Sequence, residues 1–202
     1  MTNYYYTKNP DVEHNEQNFN FTLLGNELNF TTDNGVFSKR RVDFGSCVLL
    51  AALDQPAFQP RKLLDVGCGY GPLGLAVAKK FPKAQVDMVD VNELALSLAT
   101  KNAAANQIKN VNIWSSDQYQ TVTAKDYDAI ITNPPIRAGK EVVHGILSQA
   151  KDHLVVGGTL TAVLQKKQGA PSAKKKLEEV FGNCQVLKKD KGYFILQSIK
   201  EV

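Results

Sequence analysis

One segment, residues 62–74 (KLLDVGCGYGPLG), constrains the fold of this chain more than any other. Its first five residues are mostly apolar and predict a short buried strand, with Asp65 near the carboxyl end. Glycine then occupies alternate positions, at Gly67, Gly69 and Gly71. Pro72 follows, and its fixed φ suits the first turn of the helix predicted next. Because a strand that turns on glycines into a helix brings bare backbone close to a ligand, we expect a cofactor to bind over this turn.

The glycine turn alone leaves two cofactor classes open. Residues 69–74 (GYGPLG) fit the G-x-G-x-x-G pattern of dinucleotide-binding folds, which indicates NAD. The longer register, in which Asp65 precedes Gly67 by two positions, resembles the first motif of class I S-adenosylmethionine (SAM) methyltransferases. Residues further along the chain have to separate the two classes.

Composition and charge narrow the class of protein. The 202 residues suit one domain, and 43% hydrophobic and 22% charged residues are ordinary for a globular protein. A net charge of +4 permits a nucleic-acid partner without requiring one. With no membrane-spanning run and no signal-peptide pattern, we expect a cytoplasmic protein with no membrane partner. The three cysteines are widely spaced, so neither a disulfide framework nor a metal site is expected.

Strands and helices are predicted to alternate from residue 62 onwards. Seven strands are expected, over residues 62–66, 84–89, 111–114, 127–132, 154–164, 184–188 and 193–199. The fifth of these is predicted as two pieces, 154–156 and 159–164, around a turn at Gly157-Gly158. Repeated strand–helix units favour a mostly parallel sheet with helices on both faces, that is, an α/β, Rossmann-like fold. The link between the last two strands is too short for a parallel crossover, so these strands should pair antiparallel. Residues 61–202 would form this core.

The first 60 residues are expected to pack on that core as part of one structural domain. Residues 1–20 predict a lightly ordered arm. Alternating residues at 19–24 and 27–32 predict a β-hairpin with its turn at Gly25-Asn26. An apolar helix is expected over residues 47–53, with Ser46 as its N-cap.

Polar residues follow four of the predicted strands. Asp65, Asp90, Asp117 and Asn133 each lie where a parallel strand ends, and ligands of open α/β sheets bind beyond these ends. Asp90 can accept hydrogen bonds from a ribose 2′,3′-diol, a feature that NAD-binding folds share. Val91 could contact an adenine ring, and Asp117 is placed to accept from the adenine amino group.

The tripeptide Asn133-Pro134-Pro135 distinguishes the two cofactor classes. An exocyclic amine on a nucleobase is a poor nucleophile because its lone pair is delocalised into the ring. The Asn133 side-chain oxygen and the Pro134 carbonyl can each accept one N–H of such an amine and aim its lone pair at a sulfonium methyl. Consecutive prolines fix φ and hold that carbonyl in place. These three residues are therefore the predicted catalytic residues of an amino-directed methyltransferase, whereas a dehydrogenase has no need of them.

From about residue 37 to residue 199, the chain resembles the class I methyltransferases, and in particular the small-subunit (16S) ribosomal RNA guanine-N2 methyltransferase family. The segments that carry the resemblance are GVFS at 35–38, DFGS at 43–46, LDVGCGYG at 64–71, DVN at 90–92 and NPP at 133–135. The resemblance implies SAM as cofactor, with S-adenosylhomocysteine as product. It also implies a sheet whose last strand runs antiparallel. It further suggests that Asp43, Gly45 and Ser46 lie near the methionine end of SAM.

The sequence departs from this family at one position that faces the target base. The residue after Asn-Pro-Pro is usually aromatic and is Ile136 here, which leaves the identity of the base open. Longer family members carry a second methyltransferase-like domain, so this chain would recognise ribosomal RNA or the small subunit, as a monomer, through basic residues near its loops. The predicted contacts are Lys39, Arg40, Arg137, Lys166 and Lys167. Residues 168–172 are expected to form a flexible loop that closes over the substrate.

Several readings remain open from the sequence. The favoured one is methyl transfer to guanine N2 of small-subunit ribosomal RNA. A protein glutamine or an adenine presents the same planar NH₂ group and is an alternative substrate. A non-catalytic RNA-binding protein that keeps the SAM fold is a second alternative, and an NAD-binding oxidoreductase is a third.

Overall fold

The computed structural model describes residues 7–8 and 13–202. Nine strands lie in this part of the chain: β1 (Gln17–Leu23), β2 (Asn26–Thr32), β3 (Lys62–Val66), β4 (Gln85–Asp90), β5 (Val111–Ser115), β6 (Tyr127–Thr132), β7 (Leu154–Gln165), β8 (Gln185–Asp190) and β9 (Tyr193–Ile199). Its five α-helices are α1 (Phe44–Leu53), α2 (Pro72–Lys80), α3 (Glu93–Ala105), α4 (Lys140–His153) and α5 (Ala170–Phe181). Short 3-10 helices cover Ile136–Ala138 and Lys166–Gln168.

Seven strands form one sheet in the order β5-β4-β3-β6-β7-β9-β8. The pairs among β3 to β7 are parallel, whereas β9 is inserted between β7 and β8 and pairs antiparallel with both. The expected sheet with an antiparallel last strand is confirmed. Since β9 runs the opposite way, its first residue lies at the edge of the sheet where β3, β4, β6 and β7 end.

The two faces of the sheet bury separate apolar clusters. Helices α1, α2 and α3 pack on one face, with Leu49, Leu75 and Met88 fully buried there. Helices α4 and α5 cover the other face around Ile130 and Leu147. Burying both faces is why the parallel strands are almost continuously apolar.

The hairpin β1–β2 is joined to α3 by two asparagine side chains. Asn102 accepts from the Thr31 backbone N–H at 2.7 Å and donates to the Thr31 carbonyl at 3.0 Å. Asn106, one turn later, makes the same pair of bonds with Asn29, at 2.8 and 2.7 Å. The Asn102 amide also donates to the Tyr70 carbonyl at 2.9 Å, which links the hairpin to the glycine turn. These side chains satisfy backbone groups that a neighbouring strand would otherwise pair.

The hairpin is present as expected, but its turn was predicted at Gly25-Asn26, one residue too far along the chain. Leu24 and Gly25 occupy the turn, with φ of 50° and 79°, and Leu23 pairs with Asn26. Two successive residues of positive φ match the twist of a two-residue hairpin. The arm expected over residues 1–20 lies partly outside the described residues, and its last four positions begin β1.

Three further boundaries correct the sequence analysis. Helix α1 begins at Phe44, and its N-cap is Asp43, whose carboxylate accepts from the Ser46 N–H at 3.1 Å, so the prediction of Ser46 as the cap was wrong. The flexible loop expected at 168–172 was also wrong, because α5 starts at Ala170 and continues the preceding 3-10 turn. Strand β7 includes Gly157-Gly158, where a turn was expected, because both glycines form backbone hydrogen bonds with Lys200. An irregularity does occur at this place, since the pairing with β6 shifts register between Leu154 and Thr159.

Candidate active site

A cleft of about 430 Å³ opens at the edge of the sheet where the parallel strands end. The segments after β3, β4, β5, β6 and β7 and the start of β9 line it, together with the segment before α1. Of the predicted site residues, the ones that line this cleft are Asp43, Ser46, Gly67, Gly69, Asp90, Val91, Asn133, Pro134, Pro135, Ile136 and Arg137. The predicted residues that line the cleft thus come from four separate segments of the chain.

The glycine turn forms the floor of the cleft. Gly67 and Gly69 have φ of 74° and 56°, and a Cβ on Gly69 would meet no atom within 4 Å. The backbone at Gly69 is therefore open to the cleft, as close approach by a ligand requires. Gly71, with φ of 99°, does not line the cleft; a Cβ there would lie 2.8 Å from Leu75 and 3.1 Å from Met88, so this glycine serves helix–sheet packing.

Asp90 ends β4 and braces the glycine turn. Its Oδ2 accepts from the Gly69 N–H at 2.8 Å and its Oδ1 accepts from the Asn92 N–H at 2.9 Å. Burial raises the pKa of this carboxyl, and the backbone hydrogen bonds partly offset that effect. Each oxygen retains lone-pair capacity, so a carboxylate that lines the cleft can also accept from a diol.

Asp65 lies behind the turn and does not line the cleft. It is fully buried, and its Oδ2 accepts from the Gly74 N–H at 2.9 Å. Its Oδ1 is the one buried side-chain polar atom of the described residues without a hydrogen-bond partner. Burial, with a contribution from nearby Asp90, raises the pKa of Asp65 from 3.8 to about 7. An unsatisfied buried carboxyl beneath a cleft fits a site that receives a cationic ligand.

Asn133 follows β6, and its amide is held by the start of α1. Its Nδ2 donates to Asp43 Oδ1 at 3.0 Å and to Ser46 Oγ at 3.1 Å. Both amide hydrogens are thus used, and the side-chain oxygen of this lining residue keeps its capacity to accept a hydrogen bond. The ring of Pro135 reaches the glycine turn, since a Cβ on Gly67 would lie 3.9 Å from Pro135 Cδ. The glycine turn and the Asn133-Pro134-Pro135 segment therefore lie side by side.

Gly45 and Asp117 do not line the cleft themselves. A Cβ on Gly45 would lie 2.8 Å from the Tyr193 ring, so this glycine makes room for an aromatic side chain that does line it. Asp117 is half-buried, and its neighbours Ser116 and Gln118 are the lining residues after β5.

Some of the predicted RNA-contacting cations line the cleft and others do not. Arg137 is exposed and lines the cleft beside Ile136. Lys166 and Lys167 are exposed in the 3-10 turn next to the lining residues Gln165 and Gln168, without lining it themselves. Lys39 and Arg40 do not line the cleft. The Lys39 ammonium donates to Asn34 Oδ1 at 2.6 Å.

Sequence reasoning missed several lining residues, notably Phe37, Tyr70 and Tyr193. The sequence signal for Phe37 was its place in the GVFS segment. Tyr193 carried no local signal, because its position in the cleft depends on the antiparallel insertion of β9. Of the helices in the described part of the chain, none has both the length and the apolar character needed to cross a bilayer. The same residues bring no three His, Cys, Asp or Glu side chains together as a metal site would.

The sheet order, with β9 inserted antiparallel, is that of the class I methyltransferases, whose methyl donor is SAM. The sequence model of the methyltransferase small domain matches residues 27–197, and the chain belongs to that family. The resemblance stated from the motifs is thereby confirmed.

Similar proteins add detail. Uncharacterized protein YbxB of Bacillus subtilis is 47% identical over 99% of this chain and 100% of its own length. Ribosomal RNA small subunit methyltransferase C of Pasteurella multocida is 36% identical, over 77% of this chain and 46% of that protein. That of Vibrio cholerae is 30% identical, over 94% and 55%. The chain spans about half the length of these ribosomal RNA methyltransferases.

Among solved structures, the fold matches the Thermus thermophilus 16S rRNA N2 G1207 methyltransferase (RsmC), in complex with AdoMet and guanosine. The TM-score is 0.82 at 31% identity, covering 92% of this chain and 50% of that one. A ribosomal protein L11 methylase from Lactobacillus delbrueckii shares the fold at 22% identity and a TM-score of 0.67.

Proposed function

We propose that this protein transfers a methyl group from SAM to the exocyclic N2 amine of a guanine in small-subunit ribosomal RNA. Support comes from relatives named ribosomal RNA small subunit methyltransferase C and from a matching structure described with AdoMet and guanosine. The Asn133-Pro134-Pro135 segment suits a planar amine, which narrows the chemistry to N-methylation.

The observation that carries the proposal is the fixed amide of Asn133. Because Asp43 and Ser46 accept from its nitrogen, its oxygen is the atom left to accept an N–H of the substrate. The Pro134 carbonyl is the proposed acceptor of the second N–H. Two acceptors on one amine draw the nitrogen towards tetrahedral geometry and free its lone pair. Acceleration then comes from positioning and from preorganised dipoles.

SAM, when bound, supplies a methyl carbon already activated by a sulfonium. The residues proposed to hold it are the bare backbone of Gly67 and Gly69, the Asp90 carboxylate at the ribose diol, and Val91 at the adenine. The orphan oxygen of Asp65 beneath the turn favours a cationic ligand. Asp117 stays a predicted adenine contact.

For RNA, the proposed contacts are Arg137 in the cleft and the outer cations Lys39, Arg40, Lys166 and Lys167. A guanine within a helix has to leave its stack to reach Asn133. Cations around the opening would hold the flanking phosphates in a salt-dependent manner. We propose that the protein acts as a monomer on ribosomal RNA or the assembled small subunit.

The test is methyl transfer from tritiated SAM to small ribosomal subunits purified from cells that lack the protein. Digestion and mass spectrometry of the RNA should find the label on guanine N2, and Asn133→Ala should abolish transfer while SAM binding persists. Label on adenine, or on a protein glutamine in the same particles, would reassign the acceptor. Binding of NAD in place of SAM in equilibrium dialysis would overturn the proposal.

A further inference from the structure

Tyr193 lies in the cleft because of the reversed direction of β9. It is the first residue of that strand and pairs with Gln165, the last residue of β7. Both residues line the cleft. The tyrosine is only half-buried, so part of its ring remains open to a ligand.

The ring of Tyr193 lies at the acceptor end of the cleft. A Cβ on Gly45 would be 2.8 Å from Tyr193 Cε1 and 3.1 Å from Asp43 Oδ1. The ring and the Asp43 carboxylate therefore flank the same glycine, and that carboxylate holds the Asn133 amide. Tyr193 and Asn133 thus both adjoin the short segment from Asp43 to Gly45.

Aromatic and cationic side chains continue outward from Tyr193. The Phe44 ring packs edge-on against it, with 5.6 Å between centroids and 62° between planes, and Phe44 is 37% exposed. The Lys191 ammonium lies 4.9 Å from the Phe44 centroid. We call Tyr193, Phe44 and Lys191 the aromatic wall.

We propose that the aromatic wall binds single-stranded RNA, with Tyr193 against the target base and Phe44 with Lys191 holding the adjacent nucleotide. This inference rests on the proposed function and names its RNA-contacting surface. Single-stranded RNA is recognised by splayed bases on aromatic rings and by cations on its backbone, and the wall offers both. Ile136 gives a target base only an aliphatic contact. Tyr193 supplies an aromatic one from another strand.

The same hairpin provides a matched control. Lys189 lies 4.8 Å from the Phe194 centroid, which is the same kind of pair on the opposite face of the sheet. Phe194 packs with the cluster under α4 and α5, away from the cleft lining. Lys189→Ala therefore removes an equal charge from the same hairpin without touching the wall.

The experiment measures binding of the same purified small subunits to the protein with S-adenosylhomocysteine, alongside methyl transfer from SAM. Tyr193→Leu should weaken RNA binding about 5- to 100-fold, and Tyr193→Phe should restore most of it, since stacking depends on the ring. Lys191→Ala should weaken it a few-fold at low salt, with Lys189→Ala near wild type. Equilibrium binding of SAM and the melting temperature check that each variant is folded.

The outcomes separate the two proposals. Equal RNA binding by wild type, Tyr193→Leu and Lys191→Ala would overturn the aromatic wall, even if guanine N2 is methylated. Loss of binding in these two variants, without methyl transfer to guanine N2 by wild type, would support the wall and overturn the proposed reaction. Equal losses of RNA binding from Lys191→Ala and Lys189→Ala would show that the effect of Lys191 comes from net charge alone. That result would also count against the aromatic wall.

Discussion

Asn133 Nδ2 lies 3.0 Å from Asp43 Oδ1, so the residue that caps α1 also sets the direction of the Asn133 amide. The two residues are 90 positions apart in the sequence. One carboxylate oxygen thus accepts both from the Ser46 backbone N–H and from the Asn133 side chain. Helix capping and amide orientation depend on the same atom.

Because this oxygen has two roles, substitution of Asp43 should change both the stability of the protein and its rate of methyl transfer. Asp43→Ala should cost about 1 kcal/mol of stability through the lost cap and should lower kcat about 10- to 100-fold, because the Asn133 amide can then rotate. Asp43→Asn keeps an acceptor oxygen and should restore both properties in large part. Urea denaturation and steady-state methyl transfer measure the two effects. An Asp43→Ala variant with an unchanged kcat would refute the positioning role.

Asp90 predicts a cofactor-specific defect. Asp90→Ala removes the acceptor for the Gly69 and Asn92 N–H groups and the proposed partner of the ribose diol. We expect SAM to bind at least 10-fold more weakly, since hydrogen bonds to a charged acceptor are the stronger ones. Isothermal titration with SAM and with S-adenosylhomocysteine should show equal losses, because the two share the ribose. A variant that binds both as wild type does would contradict this role.

Asp65 predicts a pH dependence of stability in the cofactor-free protein. Its folded-state pKa of about 7 exceeds the ordinary 3.8, so the folded state binds the proton more tightly than the unfolded chain does. Stability should therefore fall as pH rises between these values and level off above about 7, with a slope of at most about 1.4 kcal/mol per pH unit.

The measurement is urea unfolding between pH 5.5 and 8.5, where other carboxyl groups of ordinary pKa are already ionised. Asp65→Asn is the matched variant, because a neutral amide removes the titration at similar volume. In the lower half of this range, the free energy of unfolding of the wild type should fall more steeply with pH than that of the variant. Parallel curves would show that Asp65 ionises in the folded protein as it does in the unfolded one.

Asn102 is fully buried between the hairpin and the glycine turn, and its loss should lower stability strongly. Asn102→Ala would leave the Thr31 N–H and carbonyl and the Tyr70 carbonyl without their partner, at a cost of about 3 kcal/mol. Asn20→Ala, which removes an exposed contact in the same hairpin, should cost less than about 0.5 kcal/mol. Thermal and urea denaturation compare them. Similar losses in the two variants would disprove the link.

The sequence was most informative about the site where residues adjacent in the chain form a motif at the end of a strand. The glycine turn, Asp90 and Asn133 could be placed because strand ends of a parallel sheet converge at one edge. The contact between Asp43 and Asn133 could not be derived from residue patterns, because α1 and β6 meet only when the sheet forms. Tyr193 was missed for the same reason. The cap of α1 was misassigned because Asp43 and Ser46 are both good capping residues, and local propensity does not choose between them.

The asparagine pair on α3 has a consequence for how the molecule responds to its ligand. Asn102 joins the backbone of β2 to the carbonyl of Tyr70, so we expect the hairpin and the glycine turn to open together. A nucleoside seated on the floor would slow deuterium uptake at the Thr31 amide, although Thr31 does not line the cleft. Side-chain amides also end the hairpin where another chain could otherwise add a strand, which protects this edge from self-association.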